Sequence, residues 1–246
     1  MFKKILASVG IGAAKVDTQL ESEQLMPGES FQAQILIQGG DVEQDISGMT
    51  LALMTQAEVE TDDGEHHENI VLQSWKISES FTLQPGEEKV IPFNGVIHPE
   101  TPLTQLQCGY NKSRVWLKTG LEIDLALDAG DKDFIAVLPT PAMARFLQAM
   151  DQCGYSMASA DVEKGYLNGD GFRSTTGCYQ ELEFRPSGLA RFAIKEVEVS
   201  FVPGAGVTHA LIEVDRTFRG DGYLSLTWPD DASVEQLERQ IAGCLN

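Results

Sequence analysis

Basic side chains are scarce in this chain, its cysteines follow no pattern, and no apolar stretch is long enough to cross a membrane. Among 246 residues there are 18 Lys and Arg against 37 Asp and Glu, a formal charge of −19. A surface so negative repels nucleic-acid phosphates and anionic lipid, which excludes nucleic acid as the expected partner. The shortage runs through the whole chain, with 22 acids against 9 bases up to Leu138 and 15 against 9 beyond it. Such charge keeps a β-rich protein dispersed, and it also offers a face to a basic partner. Cys108, Cys153, Cys178 and Cys244 form no CxxC or Cys/His spacing, so neither zinc nor a redox motif is indicated. They read as small buried hydrophobes of a reducing compartment. No run of 18 apolar residues exists, so no membrane-spanning helix is expected. Neither a G-x-S-x-G nucleophile elbow nor a G-x-x-x-x-G-K-[ST] phosphate loop occurs, and no βαβ rhythm is present.

What is present is strand punctuation. Met26-Pro27-Gly28-Glu29 separates the run Val16 to Leu20 from the alternating Phe31, Ala33, Ile35 and Ile37. Alternation resumes at Met49, Leu51, Leu53 and Thr55. After a polar loop at Thr61 to Glu65 it returns at Ile70, Leu72, Ser74 and Lys76, then at Phe81 and Leu83. Gln84-Pro85-Gly86-Glu87 precedes Val90, Ile91 and Phe93. Short strands with Pro-Gly turns at this spacing predict an antiparallel β-sandwich. Val115 to Lys118 and Phe134 to Leu138 flank an acidic segment, and Pro139-Thr140-Pro141 then ends strand character. Thr140 caps a predicted helix with Pro141 at its first position, Met143, Phe146, Leu147 and Met150 on one face, and Gly154 beyond its end. Strands return at Ser156 to Leu167, Cys178 to Phe184, Ala193 to Val202, Val207 to Val214 and Tyr223 to Trp228. Ser233 caps a closing helix whose stripe, Val234, Leu237, Ile241 and Leu245, needs a cover. At the other end Phe2, Ile5, Leu6 and Val9 share one face of a short helix. Lys3-Lys4 before Ile5 to Ala14 imitates a secretory signal, but Gly10 and Gly12 interrupt it, and docking onto the chain's own fold is the expectation.

A resemblance accompanies this pattern. Phe2-Lys3-Lys4-Ile5-Leu6-Ala7-Ser8-Val9-Gly10-Ile11-Gly12-Ala13-Ala14-Lys15-Val16-Asp17-Thr18, then Met26 to Glu29, Lys118-Thr119-Gly120-Leu121-Glu122-Ile123-Asp124 and Glu213-Val214-Asp215-Arg216 resemble the bacterial sporulation-control family with an arrestin-like fold, the stage-zero M type. The resemblance runs nearly end to end. It implies an all-β protein of two tandem arrestin-like antiparallel β-sandwich domains, with short helices at the N-terminus, the junction and the C-terminus. The expected division is 1–138 for the first domain and 139–246 for the second. The role it implies is a non-catalytic, cytoplasmic regulatory or adaptor protein.

Asp124, Asp128, Asp131 and Asp133 are the densest carboxylates, yet they lack the register of a calcium loop and read as a solvated turn. His66 and His67, beside Asp62, Asp63 and Glu65, point to opposite faces if they lie on a strand. His98 and His209 stand alone. Glu181 and Glu183 share a strand face, where surface carboxylates are far commoner than a glycosidase pair. Trp75, Trp116 and Trp228 sit in strand runs, where core packing is the default. The sequence thus assigns no catalytic residue, no metal ligand and no cofactor. Expected partners are proteins, with the terminal helices as candidate self-association surfaces; the alternative is a carbohydrate- or small-molecule-binding, or hydrolytic, sandwich with an acidic or aromatic groove.

Overall fold

A computed structural model of the chain describes residues 12–61, 64–124, 128–188, 190–217 and 220–245. The expected helix at Phe2 to Val9 and the pair Asp62-Asp63 lie outside the described residues.

Two twin turns show how short motifs set the strand ends. In Met26-Pro27-Gly28-Glu29 and Gln84-Pro85-Gly86-Glu87 the glycines take φ of +79° and +68°, values that a side chain would strain. The fourth residue's N–H donates to the first residue's carbonyl at 2.9 and 3.1 Å. Its carboxylate then accepts from the first residue's N–H, at 2.8 Å in each turn. The first turn launches β3 (Ser30–Gln38) and the second β7 (Glu88–Val96), which with β1 (Lys15–Leu20) make a three-stranded antiparallel sheet. Facing it are β4 (Gln44–Thr61), β5 (Gly64–Ser78), β6 (Phe81–Leu83), β9 (Val115–Ile123) and β10 (Ala129–Phe134). The alternating Phe31, Ala33, Ile35 and Ile37 are buried between the layers with Leu51, Leu53, Leu117 and Leu121. Period-two alternation therefore became one packed face of a sandwich.

A parallel pair, β2 (Gln24–Leu25) with β11 (Ala136–Val137), ties the chain down just before Pro139. Helix α1 (Pro141–Gln152) follows, with the Thr140 hydroxyl accepting from the Met143 N–H at 3.3 Å. Next come β12 (Tyr155–Lys164), β15 (Cys178–Pro186), β16 (Ile194–Pro203), β17 (Val207–Arg216) and β18 (Gly220–Pro229), successive antiparallel neighbours, and finally α2 (Val234–Leu245). The inner face of these strands, with Leu182, Phe184, Val197, Val199, Ile212, Val214 and Trp228, is filled by the two helices. Phe146 of α1 stacks on Trp228 at 4.8 Å between ring centres. Leu237, Ile241 and Leu245, the stripe that needed a cover, are buried in this core. Ser233 and Gln236 exchange capping bonds of 2.9 and 3.3 Å at the start of α2. Arg145 ties the helices together by donating to the carbonyls of Ala232 and Asp230. A small hairpin, β13 (Asn168–Gly169) with β14 (Phe172–Arg173), crosses the outer face, where Phe172 stacks on His209.

The acidic segment expected to be a solvated turn is mostly strand. Asp131 and Asp133 lie in β10, opposite Thr119 and Leu117 of β9. They point toward β1, whose Thr18 N–H donates to Asp131 Oδ2 at 2.9 Å and whose Thr18 hydroxyl meets that of Thr119 at 2.5 Å. Inward charges on an edge strand discourage pairing with another chain, which is a physical reason for this pattern.

Among the described residues one eleven-stranded sheet runs through both halves along the path β10-β9-β4-β12-β15-β16-β17-β18, with β5 and β6 joined to β4 and a further strand joined to β12. It passes between them at β4 and β12 through a single parallel pair, Glu58 with Glu163. Beside it β8 (Tyr110–Asn111) also runs parallel to β12. No helix among the described residues is long and apolar enough to cross a membrane.

Candidate functional site

Four triplets of acid, aliphatic, acid recur on successive strands: Asp161-Val162-Glu163, Glu181-Leu182-Glu183, Glu196-Val197-Glu198 and Glu213-Val214-Asp215. Each aliphatic residue is buried, so each pair of acids projects from the outer face. Register then aligns the acids: Asp161 opposes Glu181, Glu183 opposes Glu198, Glu198 opposes Glu213, and Glu196 opposes Asp215. Like charges directly opposite each other on a sheet are destabilising. Arg185 bridges Glu183 and Glu196, and Lys195 reaches Asp215 at 3.1 Å, which offsets part of the repulsion.

Burial, together with the remaining repulsion, shows in proton affinity. Burial, then the charges of Asp161 and Glu58, push the Glu163 carboxyl up to about 7. Glu181 rises to about 7 through burial and the nearby Glu163 and Asp161. Glu198 rises to about 8, from burial, a hydrogen bond with Glu196 and the charge of Glu181. Asp161 is raised by burial although Lys112 pulls the other way. A neutral-pH proton reservoir thus lies along one face, built from ordinary carboxylates.

At the crossing between halves this face meets β4. Carboxylate oxygens of Glu58, Asp161 and Glu163 lie within 4.8 Å of one another, and Glu58 is buried. Lys112 supplies the cation there, 3.1 Å from Glu58 and 4.0 Å from Asp161. That hydrogen bond holds the Glu58 carboxyl below its usual range and the Lys112 ammonium above its own. A cleft of about 230 Å³ opens over this group, lined also by His67, Tyr110 and Arg114.

The residues singled out from sequence fare differently. Glu181 and Glu183 do share a face, as members of a longer acidic row. His66 sits 3.3 Å from Glu68, whereas His67 lines the cleft, so the two histidines go separate ways. Asp131 spends both oxygens on the backbone N–H groups of Thr18 and Lys132, and Asp128 accepts from the Ile123 N–H, so these two are occupied by the chain itself, whereas one Asp133 oxygen is buried without a donor. His98 caps its own loop through the Glu100 N–H at 3.1 Å, and His209 meets Thr227 at 2.8 Å. Trp116 and Trp228 are buried, and Trp75 packs against Phe31 and Phe93. Glu58, Lys112, Asp161, Glu163, Glu196, Glu198 and Glu213 were not singled out. The repeated triplet was the available signal for most of them, Glu58 of Glu58-Val59-Glu60 included; Lys112 offered none.

The SpoOM protein family model, Spo0M, matches residues 2–218. This chain belongs to the Spo0M family. It is 37% identical over 240 residues to the sporulation-control protein Spo0M of Bacillus subtilis (strain 168), a match covering 97% of this chain and 88% of that protein. The crystal structure of Spo0M from Bacillus subtilis superposes with a TM-score of 0.84 at 31% identity, covering 96% of this chain and 98% of that one. Membership accords with the mostly β architecture, and a relative named for sporulation control points to a regulatory role.

Proposed function

We propose that this Spo0M-family chain is a non-catalytic, cytoplasmic regulatory protein that works by binding other proteins. In this reading two arrestin-like β modules in tandem, divided near Leu138, hold a docking face in a fixed pose. The observation that carries it is the row of carboxylates built by the four acid-aliphatic-acid triplets. Opposed like charges lower stability, and a fold that retains them gains most where a cationic segment of a partner neutralises them. The partner class is therefore a protein segment rich in Lys and Arg. Membership in a family that includes a sporulation-control protein supports a regulatory setting; the pathway for this chain follows from whichever partner it binds.

Affinity capture from native lysate should recover a partner with the intact chain and lose it with Glu181→Gln, Glu198→Gln and Glu213→Gln combined. Raising the salt concentration should weaken the interaction, since exposed charge pairs are screened. Undiminished capture by the triple variant would remove the acidic face from the proposal, and repeated failure to capture any protein would remove the binding role.

A further inference from the structure

The β4–β5 hairpin is not uniform along its length. Its pairing shifts register between Leu53 and Met54, where Leu53 faces Gln73 but Met54 faces Val71. The extra residue, Leu72, makes a bulge, and bulges bend and re-aim the strands they interrupt. Past Thr55, the last residue of β4 paired with β9, an arm of Gln56 to Thr61 with Gly64 to Asn69 reaches toward β12. Backbone pairing ties the arm to β12 at one residue pair only, Glu58 with Glu163. Side chains make further ties: Lys112 to Glu58 and Asp161, and Lys164 of β12 to Glu68 of β5 at 2.7 Å, while Ala57 is buried in the same apolar cluster as Val162 of β12. Lys112 is itself fixed to β12, because its backbone N–H donates to the Ala160 carbonyl at 2.8 Å.

We propose that this arm is a proton-operated latch: the Glu58, Lys112, Asp161 and Glu163 group holds it against β12 while an extra proton is bound, and releases it when that proton leaves. The charge inventory around Glu163 supports the direction. From β4 it is faced by Glu58 and Glu60, from its own strand by Asp161, and from the segment after β8 by Lys112. On β15 lie Glu181 and Tyr179, whose own proton affinities are raised first by burial and in part by the Glu163 charge. On β5, Glu65 is hydrogen-bonded to Glu58 and raised by it, and His67 faces Glu58. Carboxylates thus outnumber the one ammonium at the centre of the group. Glu163 is partly exposed, so its proton can exchange with solvent.

The sign follows from linkage. Carboxyls raised in the latched state favour that state below their ordinary range, near 4.5, and the preference is lost as pH rises through about 7. Glu58, held low by Lys112, acts oppositely and only in stronger acid. The arm is therefore held best in mild acid and freed above neutrality. This inference goes beyond the partner-binding reading, and its test involves no partner, so either can fail alone.

The test is amide hydrogen exchange of the full chain at pH 5.5, 7.0 and 8.5, corrected for the intrinsic pH dependence of exchange. Protection at Ala57 to Thr61 and Gly64 to Asn69 should fall by about tenfold from pH 5.5 to 8.5 relative to β16 and β17, a screened fraction of the shift at Glu163. Glu163→Gln should hold the arm's protection constant across that range. Lys112→Met should free the arm at every pH. Constant wild-type protection would overturn the proposal, as would an unchanged pH dependence in Glu163→Gln, a substitution mild enough to leave the fold intact even where Lys112→Met does not.

Discussion

Carboxylates gather at two places in this molecule, and the two gatherings differ in origin. At the β9–β10 hairpin, Asp128, Asp131 and Asp133 are neighbours in sequence, and backbone N–H groups occupy most of the oxygens of the first two. Along the outer face of β12, β15, β16 and β17 the acids come from segments as far apart as residues 161 and 215, register sets carboxylates opposite one another, and Arg185, Lys195 and Lys112 pair with only some of them. The first cluster seals a sheet edge. The second leaves charge unneutralised on a face and at the crossing to β4. Density in sequence marked the cluster with a structural use, whereas alternation repeated over four strands marked the one with charge to spare.

The broadest consequence is a stability that falls as pH rises. Asp133, Glu163, Glu181 and Glu198 are all raised to between about 7 and about 8 in the folded chain. Their contribution is complete below the ordinary carboxylate range and is lost as pH climbs through their folded values. Discounted for partial exposure, the loss from pH 5 to 8.5 should be about 3 kcal/mol, or a melting temperature lower by roughly 6–12 °C. Calorimetry across that range checks it, and a flat or rising profile would erase the contrast between the clusters. Neutralising the face should reverse much of the loss. Glu181→Gln, Glu198→Gln and Glu213→Gln together should stabilise the chain by about 2 kcal/mol at pH 8.5 and by almost nothing at pH 5, by urea unfolding.

Removal of a cation should work the other way. Lys112→Met leaves the buried Glu58 beside Asp161 and Glu163 with no counter-charge, and should cost about 1–2 kcal/mol at pH 7.5, less than a fully buried pair because the ammonium is partly exposed. The same denaturant titration decides it, and a neutral result would mean that Glu58 is served by solvent.

The sequence disclosed some of this and concealed the rest for physical reasons. Turns such as Met26 to Glu29 act through neighbours in the chain, so their geometry is local and legible. The same holds for Thr140 and Ser233 as helix caps. Alternation showed which residues of β3 and β4 are buried, because the strand period is fixed. It could not show that the strand with Asp131 and Asp133 turns its charges inward, since an edge strand and a solvated turn share the same polar composition. Nor could it pair Glu58 with Glu163. That contact depends on β4 continuing past the bulge at Leu72 of β5 to meet a strand from the other half, and register across such a distance is a tertiary outcome.

The hairpin cluster yields the smallest effect and the most direct comparison. Asp133 is half-buried, one of its oxygens faces no donor, and burial with the neighbouring Asp131, Asp17 and Glu23 charges pushes its carboxyl up to about 7. Asp133→Asn keeps the shape and removes the charge. At pH 5 the wild-type group is already protonated in the folded state, so the exchange should be close to neutral. At pH 8.5 the wild-type carboxylate is ionised against its surroundings, and the variant should be more stable by up to about 1 kcal/mol. Unlike the triple glutamine change, it should leave partner capture untouched, because Asp133 points toward β1 and not to the outer face of the second sheet. Loss of capture in Asp133→Asn with an unaltered melting curve would show that the functional charge belongs to the hairpin, and would invert the roles assigned to the two clusters.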